Sequence, residues 1–162
     1  MMIRQMPNKK KKLVVVAVSG GFDPLHAGHV RMFNQAKKFG DKLLVILNND
    51  NWLKKKKGHV FMPEKERKEV IQALRAVDRV VITQHSRNPK DMTVSKELLR
   101  LKPDVFANGG DRPKKTHPPQ EVRVCRKIGC RMVFNVGRGG KIQSSSWLLA
   151  RHLNLAGKRT RN

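Results

Sequence analysis

The sequence predicts an α/β fold in which a mostly parallel sheet of about five strands lies between two layers of helices. Short apolar runs alternate along the chain with longer segments of helical periodicity, which is the pattern of βαβ units. The first run, residues 13–18, is continuous and rich in valine, as is typical of a strand buried on both faces of a parallel sheet. No apolar run approaches the ~18 residues of a transmembrane helix, so no membrane span is predicted.

Each element follows from its local pattern. The apolar runs predict strands over residues 13–18, 43–47, 80–83, 105–107 and 131–136. Apolar residues at helical spacing predict helices over residues 26–39, 63–76, 91–101, 118–129 and 144–153. Pro63 suits a first helical turn, and Ser144 suits an N-cap. Ligands of such sheets bind beyond the carboxyl ends of the strands, so the loops that follow the strands are expected to carry the chemistry.

Charge and cysteine content limit the class of protein. Lys and Arg number 36 against 12 Asp and Glu, a net charge of +24 that favours polyanionic partners. We expect a basic N-terminal tail over residues 1–12, one domain over 13–153, and a basic, disordered C-terminal tail over 154–162. Cys125 and Cys130 are too few for a disulfide framework, so we interpret them as structural thiols of a cytoplasmic protein.

The loop after the first strand, Ser19 to His29, carries the clearest chemical signal. Its glycines allow a phosphate to approach the backbone closely. His26 and His29 are three residues apart at a helix start, so they share one face and lie beside free N–H groups and the positive end of the helix dipole. Two imidazoles at that place could donate hydrogen bonds to a phosphoryl group. Two incidental histidines on a glycine turn are the less favoured interpretation.

Three further loops carry polar residues suited to anions. Residues 48–58 end in four lysines and a glycine, and we expect most of these lysines to be solvated and at least one to reach an anion. Residues 103–112 combine a glycine pair with an acid and an arginine, and residues 136–147 combine glycines and basic residues with three serines at a helix start. The other histidines, which lack partners at ligand spacing, are predicted to be surface residues: His59, His85, His117 and His152.

Residues 13–150 resemble the cytidylyltransferase-like nucleotidyltransferases, the superfamily with the H-x-G-H signature. The resemblance lies in G-G-F-D-P-L-H-A-G-H, in L-N-N-D with the lysines after it, in P-E-K-E-R, in P-D-V-F-A-N-G-G-D-R and in Q-S-S-S-W-L-L. Glycerol-3-phosphate cytidylyltransferases and heptose-1-phosphate adenylyltransferase domains are the most similar groups. Two departures concern the base and the acceptor: Trp147 stands where these families often carry Lys, Arg or Asn, and Arg138 matches the family arginine only loosely.

The resemblance implies a Rossmann-like fold and transfer of a nucleoside monophosphate from CTP or ATP to a phosphorylated sugar or polyol, with release of pyrophosphate. It implies catalytic roles for His26, His29 and Lys57. The nucleotide would be bound by a larger set that includes the two histidines and also Gly20, Gly21, Phe22, Gly28, Gly109, Asp111, Arg112, Ser144, Ser145 and Ser146. The acceptor would be bound by Asp23, Lys55, Lys57 and Arg138.

Cofactors and partners follow from the same resemblance. Mg²⁺ would arrive with the nucleotide, with no metal ligand from the protein, and a homodimer is expected because relatives are often dimers. A phosphate acceptor is already anionic at neutral pH, so no general base is required. The alternative left open is a basic nucleic-acid-binding protein on this scaffold without catalysis. Its basic ends favour that alternative, whereas its low aromatic content of 5% does not.

Overall fold

The computed structural model describes residues 12–109, 117–137 and 144–159, with the backbone alone for 154–159. Within these ranges strands and helices alternate almost throughout. The elements in chain order are β1 (Val15–Gly20), α1 (Ala27–Lys37), β2 (Lys42–Leu47), α2 (Asp50–Lys57), α3 (Glu64–Gln72), β3 (Arg79–Ile82), α4 (Ser95–Leu101), β4 (Val105–Gly109), α5 (Pro119–Ile128), β5 (Arg131–Val136) and α6 (Ser145–Arg159).

The five strands form one sheet in the order β3-β2-β1-β4-β5, and every pairing is parallel. Strand β1 lies in the centre, where Val16 pairs with Leu43 of β2 and with Val105 of β4. The chain therefore builds outward to β3 and then returns to start again at β4. That reversal opens a crevice at the carboxyl ends of β1 and β4, where ligands of such folds bind. The predicted Rossmann-like α/β fold is confirmed.

Both faces of the sheet are covered by helices. Val16 and Val18 of β1 pack with Phe33 of α1 and Ile71 of α3 on one face. Ala17 faces the opposite side, in a second cluster that includes residues of α4 and α5. A strand covered on both faces must be apolar at every position, which explains the continuous run that identified β1 in the sequence.

Residues 50–57 form a helix, whereas the sequence analysis treated 48–58 as a polar loop. Asn49 caps α2, because its Oδ1 accepts the N–H of Trp52 at 3.0 Å. Leu53 is fully buried, and Gly58 ends the helix with φ of +80°. The four lysines hid this element because a single buried leucine in a basic run gives little periodicity. The helix matters for the site because it fixes where Lys57 lies.

Other boundaries shift by a few residues. Helix α3 ends at Gln72 instead of 76, and α4 begins at Ser95 instead of 91 because Asp91 accepts both the N–H and the hydroxyl of Thr93 in a local turn. Helix α6 continues to Arg159, past the predicted end at 153 and into the segment expected to be disordered. Residues 1–11 and 160–162 of the predicted tails lie outside the described residues.

The prediction that His117 lies on the surface is wrong. Its ring is buried between Phe106 and Phe134, with centroid distances of 5.8 and 5.7 Å. Its Nε2 lies 2.7 Å from a carboxylate oxygen of Glu121. The turn before α5 folds over the second core cluster, a tertiary contact that local spacing cannot reveal. His59 and His152 are exposed, as predicted.

Two other predictions bear on class. Cys125 and Cys130 are free, buried thiols in the second core cluster, as expected of structural cysteines. His85, also predicted at the surface, is half-buried, and its ring contacts Thr83 Oγ1 at 2.8 Å and Thr93 O at 3.2 Å. In the part of the chain that the structure describes, no helix is long and apolar enough to cross a membrane.

Candidate active site

The loop between β1 and α1 is closely packed, which accounts for its glycines. A Cβ on Gly20 would lie 2.7 Å from the ring of Phe22, and a Cβ on Gly21 would lie 2.7 Å from Leu53 Cδ2. Phe22 itself has φ of +49° and is buried. Its ring meets the ring of His29 edge-on at 5.0 Å. The predicted nucleotide-binding residue Phe22 therefore supports His29 from the core side.

The two histidines form a stacked pair that caps α1. Their ring centroids are 3.7 Å apart, and the ring planes differ by 25°. His26 Nδ1 accepts the N–H of Gly28 at 3.1 Å, and His29 Nδ1 accepts the N–H of His26 at 3.3 Å. A Cβ on Gly28 would lie 2.8 Å from His26 Cε1, so only glycine leaves room for the ring.

These backbone contacts determine the tautomer of both rings. A neutral imidazole whose Nδ1 accepts a hydrogen bond must carry its proton on Nε2. Burial and the nearby charges of Arg31 and Lys57 lower the pKa of His26. Burial, His26 and Lys57 lower the pKa of His29 to about 3. Both rings are therefore neutral near pH 7, and each has one Nε2–H free of these capping bonds to offer a ligand.

Lys57, at the end of α2, is tied to the same loop. Its Nζ donates to the carbonyl oxygen of Asp23 at 2.8 Å. Burial lowers the pKa of Lys57; the charge of Asp23 opposes this shift and that of Arg67 adds to it. The histidine shifts caused by Lys57 show that its charge is felt at both rings. The three predicted catalytic residues thus belong to one cluster.

Asp23 has partners that differ from those expected of an acceptor-binding residue. It is fully buried, and its two carboxylate oxygens accept the N–H groups of Phe61 and Met62, each at 2.8 Å. It therefore anchors the segment 58–62 to the histidine loop. Asp23 is the sole carboxylate between residues 19 and 29, so this loop offers none to a resident metal. No group of three metal-ligating side chains occurs within the described ranges.

Arg67 is a buried cation at the site that the sequence analysis did not single out. Its guanidinium donates to the carbonyls of Gly21 at 2.6 Å, Asn48 at 2.8 Å and Met62 at 2.8 Å. It also donates to the carboxylate of Asp50 at 2.6 Å, with its own side chain fully buried. Arg67 thereby joins the loops after β1 and β2 to α3. Its spacing of four from the buried Ile71 on α3 was the available signal.

The serine triplet lies against the histidine loop from the opposite end of the sequence. The buried Ser145 donates from Oγ to the carbonyl of Pro24 at 2.8 Å, two residues before His26. Ser144 Oγ accepts the N–H of Trp147 at 3.2 Å and so caps α6. The N-termini of α1 and α6 therefore meet at one loop. Helix N-termini bind anions through free N–H groups and the helix dipole.

Helix α1 also contacts the ends of β4 and β5. A Cβ on Gly109 would lie 2.9 Å from the sulfur of Met32, and one on Gly137, where φ is +91°, would lie 3.1 Å from the Met32 backbone. Gln35 Oε1 accepts the N–H of Gly137 at 2.6 Å. The predicted ligand residues Asp111, Arg112 and Arg138 lie outside the described residues.

One predicted residue is turned elsewhere. Lys55 Nζ donates to Asn88 Oδ1 at 2.7 Å, so its charge is directed at the segment after β3. The structure thus assembles the histidines, Lys57 and Ser145 around residues 23–29, and it does not bring Lys55 into that group. Periodicity could not show this, because α2 was not recognised as a helix.

Comparisons with known proteins agree with this geometry. The chain is 44% identical over 98 residues to an FAD synthase of Pyrococcus horikoshii, an alignment that covers 60% of this chain and 63% of that protein. It is 38% identical over 99 residues to the bifunctional protein HldE of Koribacter versatilis, covering 60% of this chain and 19% of that one. The match thus spans less than two thirds of the length of either relative.

A solved structure extends the likeness over more of the chain. The lipopolysaccharide core biosynthesis protein of Thermoplasma volcanium superposes with a TM-score of 0.60 at 26% identity, covering 76% of this chain and 97% of that one. The profile of the cytidylyltransferase-like family matches residues 17–146, from β1 to the serine triplet. The predicted family is confirmed: the chain belongs to the cytidylyltransferase-like family.

Proposed function

We propose that this protein is a nucleotidyltransferase that transfers a nucleoside monophosphate from a nucleoside triphosphate to a phosphorylated small molecule and releases pyrophosphate. The observation that carries the proposal is the hydrogen bond from Ser145 Oγ to Pro24 O, which joins the N-terminus of α6 to the histidine loop. It places two anion-binding helix starts and two imidazole donors beside one another. A polyphosphate is the ligand that uses all of them.

The reaction needs charge stabilisation more than proton transfer. An oxygen of the acceptor phosphate attacks the α-phosphorus of the triphosphate and forms a new P–O bond. The bond from the α-phosphorus to the bridging oxygen breaks, and its electron pair leaves with pyrophosphate. A phosphate monoester has a second pKa near ~6, so it attacks as an anion without a general base. The enzyme must align the two phosphates and stabilise the charge between them.

The histidines are suited to that stabilisation because their tautomers are set before the substrate binds. The capping bonds at Nδ1 leave both Nε2–H groups as donors, held by stacking and by the edge of Phe22. Donors that are already oriented need no reorganisation as the transition state forms. Lys57 adds a positive charge beside them. Mg²⁺ would be expected to accompany the nucleotide, and no step here depends on a protein ligand to it.

The relatives favour ATP as donor and a flavin phosphate as acceptor. An FAD synthase makes a product that contains an adenylyl group joined to a flavin mononucleotide (FMN), and such synthases are the relatives with the highest identity cited above. A phosphorylated sugar or polyol remains the second acceptor class to test, because HldE and the lipopolysaccharide core protein are also similar to this chain. The choice between these acceptors decides the physiological reaction.

Pyrophosphate release from ATP or CTP, measured with FMN and with sugar phosphates, tests the proposal. The His29→Ala variant should fold normally and lose at least ~100-fold in turnover, the scale of removing one transition-state donor. His152→Ala, an exposed histidine on α6, is the matched control and should retain full activity. Near-normal turnover in His29→Ala would remove His29 from this role, and the absence of nucleotide binding at millimolar concentration would contradict the proposed activity.

Contact with nucleic acid is a second proposal, favoured by the net charge of +24. Helix α5 exposes Arg123, Arg126 and Lys127 on one element, so part of this charge lies on the described surface. Binding that rests on phosphate contacts weakens steeply as salt is raised. Affinity for RNA or DNA that is unchanged between low and moderate salt would contradict it.

A further inference from the structure

Exposed aromatic side chains are concentrated beside the histidine loop. Among the described residues, the exposed large aromatic side chains are Phe39, Phe61 and Trp147. Phe61 is 55% exposed and Trp147 is 56% exposed, although the chain is poor in aromatic residues. Phe39 lies under the guanidinium of Arg131, at 5.9 Å. The other two lie on segments that are bound to the candidate site.

Both segments are attached to consecutive residues of the histidine loop. The N–H of Phe61 donates to the Asp23 carboxylate at 2.8 Å, and Asp23 is fully buried. Trp147 is two residues after Ser145, whose hydroxyl donates to the carbonyl of Pro24 at 2.8 Å. The backbone beneath each ring is thus held by a hydrogen bond to the loop that carries the histidines. The rings themselves remain open to solvent.

We infer that Phe61 and Trp147 form a ring-stacking surface that takes the flat, aromatic part of the acceptor while the histidine loop holds its phosphate. The inference rests on the proposed function and adds the residues that select the acceptor. Aromatic side chains held at a rim bind flat conjugated rings through stacking and burial of apolar area. A small sugar or polyol phosphate has no conjugated ring and would leave these faces in water.

The alternative ligand for these rings is the base of the nucleotide. The loops expected to hold the nucleoside follow β4 and β5, whose terminal glycines lie against Met32 on α1. Phe61 lies elsewhere, on the segment after α2 that Lys57 and Asp23 tie to the loop. The acceptor therefore suits Phe61 better than the base does. The kinetic constants of the two substrates distinguish these assignments.

The test uses the full chain with ATP and two acceptor probes, FMN and glycerol 3-phosphate. Phe61→Ala and Trp147→Ala should each raise the KM for FMN about tenfold, the scale of losing one stacked ring, and change the KM for ATP by less than about twofold. Phe61→Leu, which keeps an apolar side chain without a conjugated ring, should behave like Phe61→Ala. Phe39→Ala is the matched control and should change neither constant. Circular dichroism and thermal unfolding verify that every variant folds.

Binding without turnover separates this inference from the proposed function. The wild-type protein should quench FMN fluorescence on binding, and both alanine variants should weaken that binding. If FMN binds through these rings but no pyrophosphate is released, the proposed reaction fails and the stacking surface stands. If pyrophosphate is released and FMN neither binds nor reacts, the reaction stands and the inference is overturned. A KM increase for ATP instead of FMN in Phe61→Ala would also overturn it.

Discussion

Acidification should destabilise the folded protein through His29, and a His29→Gln variant should lose that sensitivity. Burial, His26 and Lys57 lower the pKa of His29 to about 3, against 6.5 for the free side chain. The unfolded chain therefore takes up a proton below pH ~6.5 while the folded chain stays neutral. Stability from this group is complete above that pH and is lost progressively as the pH falls toward the folded pKa.

The magnitude follows from the two pKa values. At about pH 5 the unfolded state is favoured by about 1.5 pH units of proton uptake, at 1.36 kcal/mol per unit, so His29 alone should cost about 2 kcal/mol relative to pH ~8. The capping bond at Nδ1 is the structural origin of the penalty, because protonation of His29 would place a second donor against the N–H of His26.

Urea unfolding at about pH 8 and about pH 5 measures this difference. The wild-type protein should lose about 2 kcal/mol more of its unfolding free energy than His29→Gln does over this interval. Comparing the two pH values within each protein removes any effect of the substitution on baseline stability. His152→Gln, at an exposed position, should show the full wild-type loss. Equal losses in wild type and His29→Gln would refute the claim that His29 is held neutral in the folded state.

Two further predictions concern residues that position the site. Arg67→Met should destabilise the fold by about 3–5 kcal/mol, because Asp50 and three backbone carbonyls lose a buried cation; Lys68→Met, exposed on the same helix, should change the unfolding free energy by under about 0.5 kcal/mol. A small loss in Arg67→Met in urea unfolding would contradict the buried network. Gln35→Ala releases the N–H of Gly137 and should raise the KM for the nucleotide about tenfold with kcat nearly unchanged, whereas Asn34→Ala should change neither; a fall in kcat alone would point to another role.

Local patterns were sufficient for the frame of the molecule. A strand covered on both faces must be apolar throughout, so the valine run of β1 identified a buried parallel strand. The spacing of three between His26 and His29 placed both rings on one face at a helix start, because helical geometry determines that relation. The alternation of elements then placed the loops after the strands at one edge of the sheet, where Ser145 and Pro24 meet although 121 residues separate them.

Tertiary contacts decided the rest. Burial of Arg67 depends on carbonyls from three loops that converge only in the folded chain. Asp23 anchors Phe61 and Met62 because α2 returns the chain to the histidine loop, and that helix was hidden in a lysine run. The neutral state of His29 comes from burial and neighbouring positive charge, which no spacing rule contains. Sequence periodicity determines which face of an element is apolar, whereas the partner of each buried polar group depends on segments distant in the chain.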